Sequence, residues 1–297
     1  MAHNNHIVDG FNKDVSPLFG IEDAKIEYLK LAETWEDPYG LPKITKHEGI
    51  RVVRDDFLVG SKVRGGDCLI SSLPEHIDTI VYVQPRTGLA GVSLLDVAKH
   101  HNKKVMLFMP SSKRISHHQA CCIERGCGYS FHRIAAMPNL NLIAKKWADQ
   151  HDNAFFVPLG LKHKMVTAGI VKSASRITPP DEVYCATSTG VLTRALQIAW
   201  PETNFTSVCV SRNMKAGELG RAQPISEALA FTAPEKPKNL PPFPTIDTYD
   251  GKVWKYIPKN TDKDILFWNV GAEPVLEDET LYDTIESYKD WPKNENN

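Results

Sequence analysis

No apolar run in this chain approaches the length of a membrane span, so no membrane helix is expected. A dominant charge is lacking as well. The 35 basic and 36 acidic side chains leave a net charge of -1, which advertises neither nucleic acid nor an anionic membrane as partner. The six cysteines (Cys68, Cys121, Cys122, Cys127, Cys185, Cys209) do not follow the disulfide spacing of a small secreted scaffold. Several sit in apolar runs, which points to reduced core cysteines in a cytoplasmic protein. The start, Met1 to His6, lacks a basic segment followed by an apolar one, so no secretory signal is expected. No internal repeat or low-complexity block stands out. What is present is ordinary globular composition, 42% hydrophobic and 24% charged over 297 residues, enough for one large α/β unit or two domains.

Periodicity organises the chain into strands and helices in alternation. Residues 21–34 read as an amphipathic helix, and Pro38, Gly40 and Pro42 break the chain after it. Strands are expected at 50–54, 77–83, 105–109, around Tyr129, and at 155–158, 182–186, 206–210 and 264–270. Helices are expected at 62–73, 87–101, 116–125, 140–151, 166–176 and 189–199. This rhythm argues for parallel sheets with crossover helices. The proline-rich stretch 233–244 reads as an extended connector or surface loop, and the polar tail 289–297 as frayed.

The most informative segment runs Arg54-Asp55-Asp56-Phe57-Leu58-Val59-Gly60-Ser61-Lys62-Val63-Arg64-Gly65-Gly66. A lysine kept neutral and aimed attacks carbonyls and forms Schiff bases. Small residues around Lys62 let the backbone approach a flat ligand closely. Read alone, the segment is equally a turn before an amphipathic helix with an exposed lysine. A second segment, Thr187-Ser188-Thr189-Gly190-Val191, lies between an expected strand and an expected helix. Free backbone N–H groups and the helix dipole make such a turn an anion site, or simply a capped helix start. Pro85-Arg86-Thr87-Gly88-Leu89-Ala90-Gly91 forms a third turn, and Leu266 to Pro274 forms a closing strand and turn through Asn269 and Gly271.

In this order and spacing, over about residues 40–275, the four segments resemble those of fold-type II pyridoxal phosphate enzymes. That group includes serine/threonine dehydratases, aminocyclopropane-carboxylate deaminase and D-cysteine desulfhydrase. The resemblance implies an α/β fold with two parallel-sheet domains, as in the tryptophan synthase β chain. Residues 1–78 and 159–297 would form the large cofactor-binding domain, and 79–158 the smaller inserted one. Lys62 would hold pyridoxal 5'-phosphate as a Schiff base and then shuttle protons. Thr187, Ser188, Thr189, Gly190 and Val191 would hold the phosphate, and Asn269 would meet the pyridine nitrogen. Ser61, Thr87 and Gly88 would face the substrate carboxylate. The implied reaction is elimination, deamination or decarboxylation at the α-carbon of an amino acid or amino-acid-like group, in a homodimer.

The chain departs from the family pattern in three places. The phosphate loop keeps one glycine, Gly190, where the family has several. Leu89 stands where the family's asparagine hydrogen-bonds the cofactor's 3′-oxygen, leaving Thr87 and Arg86 as the nearest polar groups. Asn269 stands where the family commonly has Ser or Thr, and a neutral partner there is expected to leave the pyridine unprotonated; Glu273 nearby would do the opposite.

Other constellations compete with this reading. Basic clusters at 99–104, 113–118 and 162–172 are either solvated faces or a polyanion surface. The latter suits a phage-type enzyme that hypermodifies DNA, acting on an amino-acid adduct of thymidine. A degenerate cofactor-binding protein without turnover is a third reading. His117, His118, Cys121, Cys122, Cys127 and His132 include metal-ligating types, but a helix carries them to different faces. Buried cysteines, surface histidines and no metal are therefore expected.

Overall fold

The computed structural model describes residues 21–133, 136–212, 214 and 218–286. In chain order the elements are α1 (Ile21–Leu31), β1 (Ile44–His47), β2 (Ile50–Arg54), α2 (Lys62–Ser71), β3 (Thr79–Val83), α3 (Ala90–His100), β4 (Lys104–Pro110), α4 (His117–Glu124), β5 (Gly128–His132), α5 (Met137–Asp149), β6 (Ala154–Val157), α6 (Lys164–Ala174), β7 (Glu182–Thr187), α7 (Val191–Ala199), β8 (Asn204–Cys209), β9 (Gln223–Ser226), β10 (Ile265–Asn269) and α8 (Leu281–Thr284). Short 3-10 turns lie at Asp55–Phe57, Pro237–Asn239 and Asp250–Tyr256. No helix among the described residues is long and apolar enough to cross a membrane. The polar tail from Lys289 and the first residues lie outside the described part.

The chain forms two units. One comprises Leu73–Leu161 together with residues 274–286; the other comprises 21–72 and 162–273. The sequence reading places 274–286 in the larger domain. They cluster instead with the smaller unit, where His117 of α4 bonds Pro274 O at 2.6 Å and the Tyr282 hydroxyl at 2.9 Å.

The larger unit holds a six-stranded sheet in the order β1-β2-β10-β7-β8-β9, parallel except for the β1–β2 hairpin. Side chains alternate across its faces. Val52, Tyr184, Val208 and Phe267 point to a core closed by Phe243, Val253, Trp254 and Ile257. The proline-rich stretch is therefore no surface connector along its whole length: Phe243 is buried, and its ring packs edge-on against Trp254 at 5.3 Å. On the helical side α2 and α6 cross at glycines. A Cβ on Gly65 would lie 2.6 Å from the Val166 carbonyl oxygen, so only glycine lets the helices approach this closely.

The smaller unit holds a wholly parallel sheet, β5-β4-β3-β6. Val81, Val83, Phe108 and Phe156 pack under Leu140, Ala144 and Ala148 of α5. The expected helix from Thr87 begins only at Ala90, because Gly88 adopts φ +123. All six cysteines are free and buried.

Candidate active site

Lys62 opens α2. Its neighbour Ser61 is the N-cap, and the Ser61 amide donates to Val270 O at 2.8 Å. That bond ties the lysine turn to the end of β10. Ser61 makes no side-chain cap bond. Lys62 keeps partial solvent access, yet the protein atoms around its ammonium lower its pKa from 10.5 to about 8. Desolvation alone does this: it penalises the charged form, and no carboxylate offsets it.

The anion turn follows β7. Gly190 takes φ +76 and caps α7 without a side-chain cap bond, which leaves the first backbone N–H groups of the helix without a side-chain acceptor. A Cβ there would sit 2.7 Å from Glu218 O. Val191 begins the helix. The hydroxyls of the turn divide. Thr187 is buried, and its Oγ1 is shared with Thr193 Oγ1 at 2.5 Å and accepts from Ser207 Oγ at 2.5 Å. Its side chain is thus spent inside the protein. Ser188 Oγ accepts from Ser211 at 2.9 Å, and Ser188 and Thr189 are half-buried.

Arg194, in the first turns of α7, is a residue the sequence reading missed. Its guanidinium lies 3.6 Å from the Cβ position of Gly190, and its Nη1 donates to Glu218 O at 3.1 Å. Burial lowers its pKa, and burial with Arg194 lowers that of Lys162. A cation near a helix N-terminus opposes the dipole. An anion bound at the turn would satisfy both.

Asn269 ends β10 and is wholly buried. Register places it beside Arg54, the last residue of β2. Its Nδ2 donates to Asp56 Oδ1 at 2.8 Å and to Pro244 O at 2.9 Å. Asp56 in turn takes two bonds from Arg54, each 2.7 Å. Its neighbour Asp55 serves the other sheet face, accepting from Trp268 Nε1 at 2.7 Å. Burial raises Asp55 to about 6, against the pull of Arg64.

In the smaller unit, Thr87 and Gly88 sit in the turn after β3. Buried Gln84 organises that turn: its Nε2 donates to Pro85 O at 2.9 Å and Gly88 O at 3.0 Å, while its Oε1 accepts from Gly91 N at 2.9 Å. Nothing lies within 4 Å of a Cβ on Gly88. Arg86 is exposed and donates to Ser112 Oγ.

No family model and no curated protein matches the chain. Solved structures do. An ACC deaminase homologue matches at TM-score 0.68 and 14% identity, over 82% of this chain and 94% of that one. The processed form of threonine deaminase isoform 2 from Solanum lycopersicum matches at 0.63 and 13%, over 88% and 87%. Diaminopropionate ammonia lyase from Escherichia coli matches at 0.62 and 13%, over 87% and 89%. The chain has the fold-type II architecture. Identities this low carry the fold and leave the chemistry to the residues.

On this fold-type II frame, Lys62, Ser61, the 187–191 turn and Asn269 all lie in the larger unit, at the carboxyl ends of β2, β7 and β10 or on the turns that follow them. Ligands of open α/β sheets bind at such ends. Two basic clusters lose members to structural roles. Lys172 Nζ donates to Ala32 O at 2.7 Å and Glu33 O at 3.0 Å, capping the end of α1, and Lys103 Nζ donates to Ile77 O. Among the described residues no group of three or more His, Cys, Asp or Glu is placed to hold a metal ion. His118 is not the surface histidine expected: it is buried, and burial lowers its pKa to about 4.

Proposed function

We propose that the chain is a pyridoxal phosphate-dependent lyase or deaminase acting at the α-carbon of an amino acid or amino-acid-like substrate. The observation that carries this is Lys62, a lysine at a helix start whose surroundings lower its pKa to about 8, in a chain with the fold of deaminases and an ammonia lyase. The residues present fit the cofactor at three points. The amine is depressed, the α7 N-terminus carries no side-chain cap beside Arg194, and Asn269 Oδ1 is a buried acceptor with no partner.

Pyridoxal phosphate supplies an aldehyde for amines and a ring that draws electrons from the α-carbon. The chain supplies the rest. Lys62 Nζ would be the amine that holds the cofactor, and once free it would move a proton at the substrate α-carbon. Gly190, Val191 and the half-buried Ser188 and Thr189 hold the phosphate, with Arg194 behind them; Thr187 acts by shaping the turn. Ser61, Thr87 and Gly88 are assigned to the substrate carboxylate by the resemblance. The test is an absorbance titration of the purified protein with pyridoxal phosphate. A Schiff-base band that is lost in Lys62→Ala is expected; a colourless protein that takes up no cofactor overturns the proposal.

A further inference from the structure

We infer that Asn269 acts only as a hydrogen-bond acceptor toward the cofactor ring, and that Asp56 is the positioning residue that enforces this, so that the ring nitrogen is bound carrying a proton. The inference deepens the proposed function and rests on the assignment of pyridoxal phosphate to this site.

A primary amide has two N–H donors and one acceptor oxygen. In most proteins its orientation is ambiguous and must be read from its partners. Here both partners accept. The Asp56 carboxylate and the Pro244 carbonyl face Nδ2 at 2.8 and 2.9 Å. A turned amide would set its oxygen against two oxygens, so both hydrogens of Asn269 are committed. Arg54 holds the Asp56 carboxylate in place with two bonds of 2.7 Å, and the β2–β10 register brings Arg54 beside Asn269. What remains is Oδ1, buried and without a partner. An unpartnered buried acceptor costs stability, and an incoming donor removes that cost.

A serine or threonine hydroxyl at this place can rotate to donate to a bare ring nitrogen. Asn269 cannot. Of the two forms of the ring, only the protonated one offers Oδ1 a donor, and the bare nitrogen would set two lone pairs against each other. This reverses what the neutrality of Asn269 suggests from sequence. A protonated ring pulls harder on electrons released at the α-carbon, which favours reactions that must stabilise a carbanion there.

The test uses the full chain with pyridoxal phosphate labelled with 15N in the ring. The nitrogen resonance of the bound cofactor is expected in the protonated range, and shifted to the unprotonated range in Asn269→Ser. Asp56→Asn, which lets the amide turn, is expected to move the resonance part of the way while the protein stays folded. The wild-type chain is also expected to bind the 1-deaza analogue, which has carbon in place of the ring nitrogen, about tenfold more weakly than pyridoxal phosphate. A cofactor bound with a bare nitrogen, or equal affinity for the analogue, overturns this inference and leaves the proposed function standing. Failure to bind the labelled cofactor at all overturns both.

Discussion

The turns that follow strands in the two sheets differ in one respect that decides their roles. After β3, in the smaller unit, the polar groups of the turn are satisfied from within: Gln84 takes up two carbonyls and one amide. After β2, β7 and β10, in the larger unit, groups are left wanting: a depressed amine at Lys62, a helix start without a side-chain cap at Gly190 and an orphan oxygen on Asn269. Native proteins satisfy buried polar groups unless something else is to fill the place. Gln84 therefore fixes the backbone of the first turn from within, whereas the second set is what the proposed cofactor would satisfy.

The largest effect expected from this contrast is at Lys62. Lys62→Ala removes the group that moves the proton and is expected to lower turnover by about a thousandfold, within the range for a positioned acid–base group. Steady-state assays on the folded variant check this. Next is the pH response. Desolvation lowers the Lys62 pKa, so the neutral amine becomes available at a lower pH than for free lysine. The rate of cofactor uptake is expected to rise about tenfold per pH unit up to about pH 8 and then level off. A limb that continues upward to about pH 10, the ordinary lysine range, would show that the amine is not desolvated.

Gly190→Ala pits a left-handed φ and a Cβ 2.7 Å from Glu218 O against the anion turn. A loss of about 1–3 kcal/mol is expected, with weaker binding of pyridoxal phosphate and of inorganic phosphate by equilibrium dialysis. Gly88→Ala is the paired control: its φ is also positive, but its Cβ meets open space, so phosphate binding is expected to be unchanged. Gln84→Ala strips the smaller unit's turn of three partners, and its cost of about 1–3 kcal/mol is expected in thermal unfolding. Smallest is Leu89→Asn. Leu89 is the half-buried N-cap of α3, where asparagine is favoured, so stability is expected to change by no more than about 0.5 kcal/mol.

Much of the frame was legible in the sequence. β2 runs over the expected residues 50–54, and α2 begins at Lys62 as expected, because alternation and helical periodicity are strong there. The strands that escaped notice are edges. β1 alternates only between exposed and half-buried positions, and β9 contains Pro224 and stays largely exposed, so neither carries an apolar signal. Phe243 escaped because prolines around it suggest a loop, whereas the sheet supplies the apolar face that buries it. Within the site, Lys62 and Gly190 are local motifs and could be read directly. Asp56 could not: its bond to Asn269 joins residues 213 apart and exists only through the register of β2 with β10. Arg194 has no sequence signal of its own: only the fold shows its guanidinium 3.6 Å from the Cβ position of Gly190.

The most direct measurement is borohydride reduction of the protein mixed with pyridoxal phosphate, followed by mass mapping of the peptides. A reduced cofactor adduct on Lys62, absent from Lys62→Ala, is predicted. An adduct confined to other lysines, or no adduct at any pH around 8, where the amine is neutral in substantial part, would contradict the assignment of Lys62 as the Schiff-base lysine.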